Sequence, residues 1–587
     1  MMKAIATLLL VLIGLVGFCI TQADEGPTVH LPGSQVLGIL ADGVDSFYGM
    51  PYAESAAGRN RLKRPEKRTK PLGDFDATTF APACPQGHFG AIKFDEPWHK
   101  RTVNVFNVDS VDKADNFDSN LARWDAANPV QTSEDCLTIT VQRPAGIKAG
   151  DNLPVLLMLA GYSFVMGTPY RYNVTSFIKF GADIEQPFVL VTVNYRTGPW
   201  GFLPGEQMLK DGSSNLGLRD QRMSMEWASD NIAAFGGDPD KIVLWGHASG
   251  GVSVFDHLVI SGGNATYKDR KLFRGAIMSS GSLLPAEAMD SKKGNEIYSD
   301  VTGVLTPHFR PDLPHYKDSL QALREAPYSD FVQATNVFPG ALSAEAMRLI
   351  YVPRPDDDLI RHSQEVLLKD NMFVPVPMIF GTQEDEGTIF AQKQTSVNNT
   401  WRLMKYLRGH YFRNISNSRM EDFLKDYHTK PLDGSPYGTG SEFESWVGRK
   451  RLSSVIGDVF FAIPQRIAMS LIASAQPELP IWGYQAAYDY RNNATSMLGT
   501  AHGSFEAMIF ETDDYVSSYA TKTTRRYLLN FLYDLNPNKR HLDLATWPKW
   551  TVEEPKLLKF NKSGLSTLLE VEGERGYTFM KKHLEMF

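Results

Sequence analysis

The stretch Lys241-Ile242-Val243-Leu244-Trp245-Gly246-His247-Ala248-Ser249-Gly250-Gly251-Val252 runs from an apolar strand through a glycine-rich turn into an amphipathic segment. This is the layout of a nucleophile elbow, where the apex residue is held in a strained conformation and small residues two positions either side let strand and helix approach. The usual form is G-x-S-x-G. Here Gly246 and Gly250 flank position 248, and that position is alanine. A methyl group cannot attack a carbonyl carbon. Ser249 stands one residue late, because as an apex it would have His247 and Gly251 two positions away, and an imidazole is too bulky for the turn. At position 249 the useful group is the backbone N–H, which helps to hold an oxyanion. The spacing of the glycines therefore predicts an elbow without a serine nucleophile, with Ser249 as the candidate substitute.

An elbow works only at the end of a strand that neighbours hold in place. From Leu153 the chain alternates short apolar runs with longer amphipathic ones: Val155 to Leu159, Phe188 to Asn194, Met223 to Phe235, then Ile242 to Trp245. That order reads strand, strand, helix, strand. Apolar runs bounded by Gly and Pro and separated by helical segments predict a large, mainly parallel sheet covered by helices. A further strand reads from Val374 to Phe380, while Gly281, Pro285 and the stretch from Tyr298 to Pro314 break the pattern. No repeat, low-complexity tract or flexible linker divides the chain.

Composition excludes several classes. With 587 residues, 43% hydrophobic and 22% charged, the chain is neither disordered nor collagenous. Its 60 Lys plus Arg against 67 Asp plus Glu leave no basic excess for a phosphate backbone, so nucleic acid is not an expected partner. Met1-Met2-Lys3, the apolar residues Ala4 to Phe18 and the small-residue site Thr21-Gln22-Ala23 read as a signal peptide over 1–23. One domain over 24–587 and secretion, with no further transmembrane segment, are expected. Cys19 leaves with the leader, so Cys84 and Cys136 form the expected disulfide of an oxidising compartment. Six Asn-x-Ser/Thr sequons, at Asn173, Asn264, Asn398, Asn414, Asn493 and Asn561, agree with that route.

Several motifs carry a family resemblance. Ser133-Glu134-Asp135-Cys136-Leu137-Thr138-Ile139, Asn194-Tyr195-Arg196, Trp200-Gly201-Phe202, Gly217-Leu218-Arg219-Asp220-Gln221-Arg222 and Phe235-Gly236-Gly237-Asp238-Pro239 resemble the type-B carboxylesterase and lipase family, which includes the cholinesterases. The flavour is that of its fungal lipase branch, and the likeness runs from Phe47-Tyr48-Gly49-Met50-Pro51-Tyr52-Ala53 to the C-terminal region. It implies the α/β-hydrolase fold. It also implies that Glu386, in Asp385-Glu386-Gly387-Thr388, orients the histidine, and that His502, in Gly499-Thr500-Ala501-His502-Gly503-Ser504, is the would-be general base. The chain order of the positions 248, 386 and 502 is that of the α/β-hydrolases.

A second departure accompanies the first. Relatives carry a run of glycines after the strand matching Val155 to Leu159, and the backbone N–H groups there bind the oxyanion. Here Ala160-Gly161-Tyr162-Ser163-Phe164 keeps only Gly161, and Tyr162 and Ser163 stand where bare backbone should approach. Loss of the nucleophile costs about 10⁶ in turnover in a serine hydrolase, and loss of one oxyanion donor about 10² to 10³. In the fungal lipases the loop closed by the first disulfide carries a flap. Here that span includes Phe89, Phe94, Pro97, Trp98, Phe106, Phe117 and Trp124, suited to covering an apolar or aromatic small molecule.

These readings lead to an expectation of a secreted, non-hydrolytic pseudoenzyme without metal or cofactor. It would bind an apolar or aromatic ligand and act as a dirigent factor, setting the stereochemistry of phenol coupling by a separate oxidase in fungal secondary metabolism. Two alternatives stand beside it. One is an active carboxylesterase or lipase using Ser249. The other is an adhesion or recognition module of the neuroligin kind.

Overall fold

The computed structural model describes residues 26–87, 131–305, 318–335, 347–412, 414–488, 497–510, 518–540, 543–561, 564–570 and 576–584, with Phe338 and Leu342 as single positions. The expected leader, the flap aromatics from Phe89 to Trp124 and Asn493 lie outside these residues.

Eleven strands form the main sheet: β1 (Ile39–Ala41), β2 (Val44–Pro51), β3 (Thr138–Pro144), β4 (Leu153–Leu159), β5 (Val189–Val193), β6 (Gly237–His247), β7 (Gly275–Ser279), β8 (Met378–Gln383), β9 (Ile481–Ala487), β10 (Lys556–Asn561) and β11 (Gly564–Leu569). Their spatial order is β11-β10-β9-β8-β7-β6-β4-β5-β3-β2-β1. Every neighbouring pair from β10 to β5 is parallel, and only the two flanks are antiparallel. A three-stranded sheet of Thr28–Leu31, Ser34–Leu37 and Gly73–Asp76 lies apart from it. The fold is that of the α/β-hydrolases.

The central strands read as continuous apolar runs because both faces are covered. In β4, Val155, Leu157 and Leu159 enter the core on one face, and Leu156 and Met158 enter the core on the other. Ile242 and Leu244 of β6 oppose Val243 and Trp245 in the same way. The helices that matter for the site are α1 (Leu216–Asn231), α2 (Ser249–Gly263), α3 (Arg449–Ala475), α4 (Ser504–Phe510) and α5 (Tyr519–Asp534). Helix α3 is 27 residues long and apolar enough to cross a bilayer, yet 72% of its apolar 18-residue window is buried in the body, as in a core helix. Its residues Asp458–Ala462 form one π turn.

Some boundaries differ from the sequence reading. Strand β8 begins at Met378, not Val374, because Pro375 and Pro377 have no N–H for a ladder. The helix read from Met223 starts earlier, at Leu216, where α1 buries Leu216, Leu218 and Asp220. The stretch read as a break from Tyr298 lies partly in a helix, Lys292–Gly303, capped by Ser291 Oγ accepting the Gly294 N–H at 3.1 Å.

The motif residues form a buried frame around the site. Arg61 and Glu134 pair through two contacts of 2.6 and 2.7 Å, and the Trp200 indole N–H donates to Glu134 Oε1 at 2.9 Å. Arg196 pairs with Asp220 at 2.7 and 2.8 Å. Removing one member of such a pair would leave a buried charge unmatched. Cys84 and Cys136 form the expected disulfide, with Cα atoms 4.9 Å apart.

Candidate active site

Register brings the parallel strand ends to one edge. Leu159 of β4 pairs with Gly246 of β6, and Ser279 of β7 pairs with His247. The turns following these strands, and the one after β8, thus meet in the crevice at the carboxyl ends where α/β folds place ligands. Beyond β6 the chain reverses at Ala248, whose φ of 51° and ψ of −123° are strained for a residue with a Cβ. Helix α2 follows at once.

Close approach explains the flanking glycines. A Cβ on Gly246 would meet Gly250 O at 2.1 Å, and one on Gly250 would meet Leu159 O at 2.0 Å. The residue between these two glycines, at the reversal, is Ala248. Ser249 is the first residue of α2, and its Oγ accepts the Phe164 N–H at 3.1 Å. Among the described residues that is the one hydrogen bond of this hydroxyl, and none joins it to His502.

The loop after β4 keeps one bare backbone contact. A Cβ on Gly161 would meet His247 O at 2.0 Å and Gly250 N at 2.2 Å. The next residues turn away: Ser163 and Phe164 have φ of 51° and 59°, and the Val165 N–H donates to Tyr162 O at 3.0 Å. Gly161 and the Ser249 N–H at the positive end of α2 thus lie beside the apex, where an oxyanion would sit. Tyr162 and Ser163, half-buried, line the adjoining turn.

Glu386 and His502 come together as the resemblance implied. His502 Nδ1 lies 2.6 Å from Glu386 Oε2, and Glu386 Oε1 accepts the Gln383 N–H at 2.8 Å. With Nδ1 held there, Nε2 is the nitrogen left to take a proton. Phe461 and Phe390 pack on the His502 ring at 4.7 and 5.2 Å. The Asp385-Glu386-Gly387 motif divides its work. Gly387 lets α3 approach, since a Cβ there would meet Ser453 O at 1.9 Å. Asp385 accepts from Ser435 Oγ, Tyr437 N and Thr500 N at 2.7 to 3.0 Å, which fixes the loop that carries His502. Burial raises the Asp385 carboxyl to about 6.

Two residues of the site escaped the sequence reading. His247 Nε2 lies 3.1 Å from Glu506 Oε2, both buried, and its ring faces that of His502 at 4.6 Å. Burial, with the nearby charge of Glu386 adding to it, raises the Glu506 carboxyl well above its usual range. His247 was legible only as an obstacle to shifting the elbow. Glu506 follows His502 by four residues, in α4, which only the fold brings over β6.

A cavity of about 580 Å³ is present, and none of Gly161, Ala248, Ser249, Glu386 and His502 lines it. Leu283 and Leu284, just past Gly281, form one wall, and Phe460, next to Phe461, forms another. Among the described residues no group of three His, Cys, Asp or Glu side chains is placed to hold a metal ion. Of the sequons, Asn173, Asn264, Asn398 and Asn414 are exposed. Asn561 is half-buried in β10, and its amide donates to Ser566 Oγ at 3.0 Å.

Comparison with known proteins agrees with this geometry. A model of the carboxylesterase family matches residues 25–574. The chain is 41% identical to a secreted triacylglycerol lipase, LIP1, of Gibberella zeae over 545 residues, covering 92% of this chain and 87% of that protein. It is 31% identical to lipase 4 of Diutina rugosa, covering 93% and 94% respectively. Among solved structures, EstA of Aspergillus niger superposes with a TM-score of 0.76 at 23% identity, covering 96% of this chain and 99% of that one. The expectation of a non-hydrolytic dirigent protein, leaning against an enzyme, is overturned by the two fungal sequence relatives, which are named as lipases. That expectation weighed the apex residue above everything else, while His502 Nδ1 and Glu386 Oε2 stand 2.6 Å apart.

Proposed function

The chain belongs to the carboxylesterase family, and from that premise we propose that it hydrolyses carboxylic esters whose acid part is apolar, with Glu386–His502 as its base. The protein is secreted, as are the lipases it resembles. The observation that carries the reading is the 2.6 Å contact between His502 Nδ1 and Glu386 Oε2 at the edge where the elbow and the Gly161 loop meet.

The attacking oxygen in this proposal is water. Ala248 has none to offer, and the Ser249 hydroxyl is turned to Phe164 N. His502 Nε2 takes a proton from water as its oxygen adds to the ester carbonyl. The oxyanion is met by the backbone at Gly161 and Ser249, and the same proton passes to the departing alkoxide. Glu386 holds the imidazole in the required tautomer and stabilises its charged form. Serine hydrolases stripped of a triad member retain about 10³ to 10⁴ of rate over water through the oxyanion site and binding alone. The expected turnover is accordingly slow.

The test is hydrolysis of 4-nitrophenyl decanoate by the purified secreted protein and by His502→Ala. Turnover in the first that falls at least tenfold in the second supports the reading. Equal rates in the two would overturn it.

A further inference from the structure

Tyr195, which follows β5 in the motif Asn194-Tyr195-Arg196, has no part in the chemistry proposed above, yet its hydroxyl reaches the site. It is buried and donates to Ala160 O at 2.5 Å. Ala160 stands one residue past the end of β4 and one before Gly161. Its carbonyl and the Gly161 N–H belong to one rigid peptide plane, so holding the first fixes the direction of the second. The backbone on both sides of Tyr195 is itself held. The Asn194 N–H donates to Thr138 O at 2.9 Å, and the Arg196 N–H donates to Asp220 Oδ2 at 3.1 Å.

A buried chain of neutral side chains backs this hydroxyl. Gln221 of α1 donates from Nε2 to Ser253 Oγ at 3.0 Å, and its Oε1 lies 2.9 Å from His257 Nε2. An amide oxygen only accepts, so Nε2 carries the imidazole proton. Burial, with the charge of Arg222 adding to it, lowers His257 to about 3, and the ring is neutral at ordinary pH. Burial also raises the Tyr195 hydroxyl well above its usual range, against hydrogen bonding by Gln221 and Ser253, so it remains a donor. Ser253 and His257 stand one turn apart on one face of α2, the helix that begins at Ser249.

We propose that Tyr195 is a positioning residue that sets the spacing between the two backbone contacts of the oxyanion site, Gly161 and Ser249. The proposal rests on the hydrolysis reading for what those contacts do. The chain of hydrogen-bonding side chains joins them, from the carbonyl that orients Gly161 to the helix that carries Ser249. The loop between needs such a hold. Gly161 has no side chain to lock it, and Ser163 and Phe164 keep φ of 51° and 59°, a conformation that persists only where the surroundings enforce it. Ser249 Oγ holds the far end of the loop at the Phe164 N–H, and Tyr195 holds the near end at Ala160 O.

The experiment compares the whole secreted protein with Tyr195→Phe, which keeps the ring and removes the hydroxyl. Turnover of 4-nitrophenyl decanoate is read beside calorimetric affinity for methyl decylphosphonate, a tetrahedral anion, and for decanol, its neutral control. In Tyr195→Phe kcat is expected to fall about tenfold with KM unchanged, since a misplacement of about 1 Å costs up to about 10² in rate. The phosphonate should bind about tenfold more weakly and decanol as before. Should that variant lack native circular dichroism, Ser253→Ala decides: it cuts the chain behind the hydroxyl, and a several-fold loss in kcat and in phosphonate affinity alone is expected. Equal phosphonate affinity in the wild type and the folded variant, a matching loss for decanol, a fall in turnover carried by KM, or no phosphonate binding to the wild type would each overturn the inference. A wild type without turnover that binds the phosphonate through Tyr195 would instead sink the hydrolysis reading and leave this inference standing.

Discussion

The imidazoles of His247 and His502 face each other with centroids 4.6 Å apart and planes 35° from parallel, and each lies against its own glutamate, Glu506 at 3.1 Å and Glu386 at 2.6 Å. With His502 as the proposed base, the ring contact makes His247 a positioning residue in that proposal. His247→Phe keeps an aromatic face and gives up the contact with a Glu506 that burial already drives toward its neutral form. His247→Ala removes the face. Steady-state kinetics on a decanoate ester should show kcat lowered several-fold in His247→Ala with KM unchanged, and largely restored in His247→Phe. A phenylalanine variant as poor as the alanine variant would count against support by the ring.

Ala248 already has the backbone conformation of an elbow apex, so Ala248→Ser places a hydroxyl there without new backbone strain. A fluorophosphonate read by intact mass should leave the wild-type protein unlabelled and label the serine variant. Turnover should rise by at least 10², within the span of about 10⁶ that a nucleophile commands. Adduct formation on Ser249 of the wild type would replace water attack with serine attack.

Asp256 links acidity to stability. Its carboxyl is raised from 3.8 to about 7 by burial, against the lowering effect of its hydrogen bond from Gln364 Nε2 at 2.5 Å. A raised acid binds its proton more tightly in the folded state. Its stabilisation is therefore complete below about pH 4 and is lost as pH rises through 7. Asp385, raised to about 6, acts in the same sense. Asp256→Asn should flatten the dependence, and thermal melts should place it a few degrees above the wild type at pH 7.5 but not at pH 4. Identical pH profiles for the two proteins would show that Asp256 does not titrate in this range.

Much of the site was legible because it follows chain neighbours. Gly246 and Gly250 mark the apex by spacing alone, since the turn between β6 and α2 is local and leaves no room for a Cβ at either position. The continuous apolar runs gave β4, β5 and β6 because strands covered on both faces need apolar residues throughout. Prolines set the start of β8 later than hydropathy suggested. Glu386 and His502 needed the family motifs, because nothing in their own spacing joins residues 116 apart in the chain.

By itself the sequence determined the parallel sheet, the disulfide pair and an alanine at the elbow, all properties of local pattern, composition or simple counting. Tertiary structure alone decided where the Ser249 hydroxyl turns and which glutamate meets which histidine. Those depend on distances between segments far apart in the chain, and such distances are set by how the whole sheet and its covering helices pack, which no short window of residues encodes.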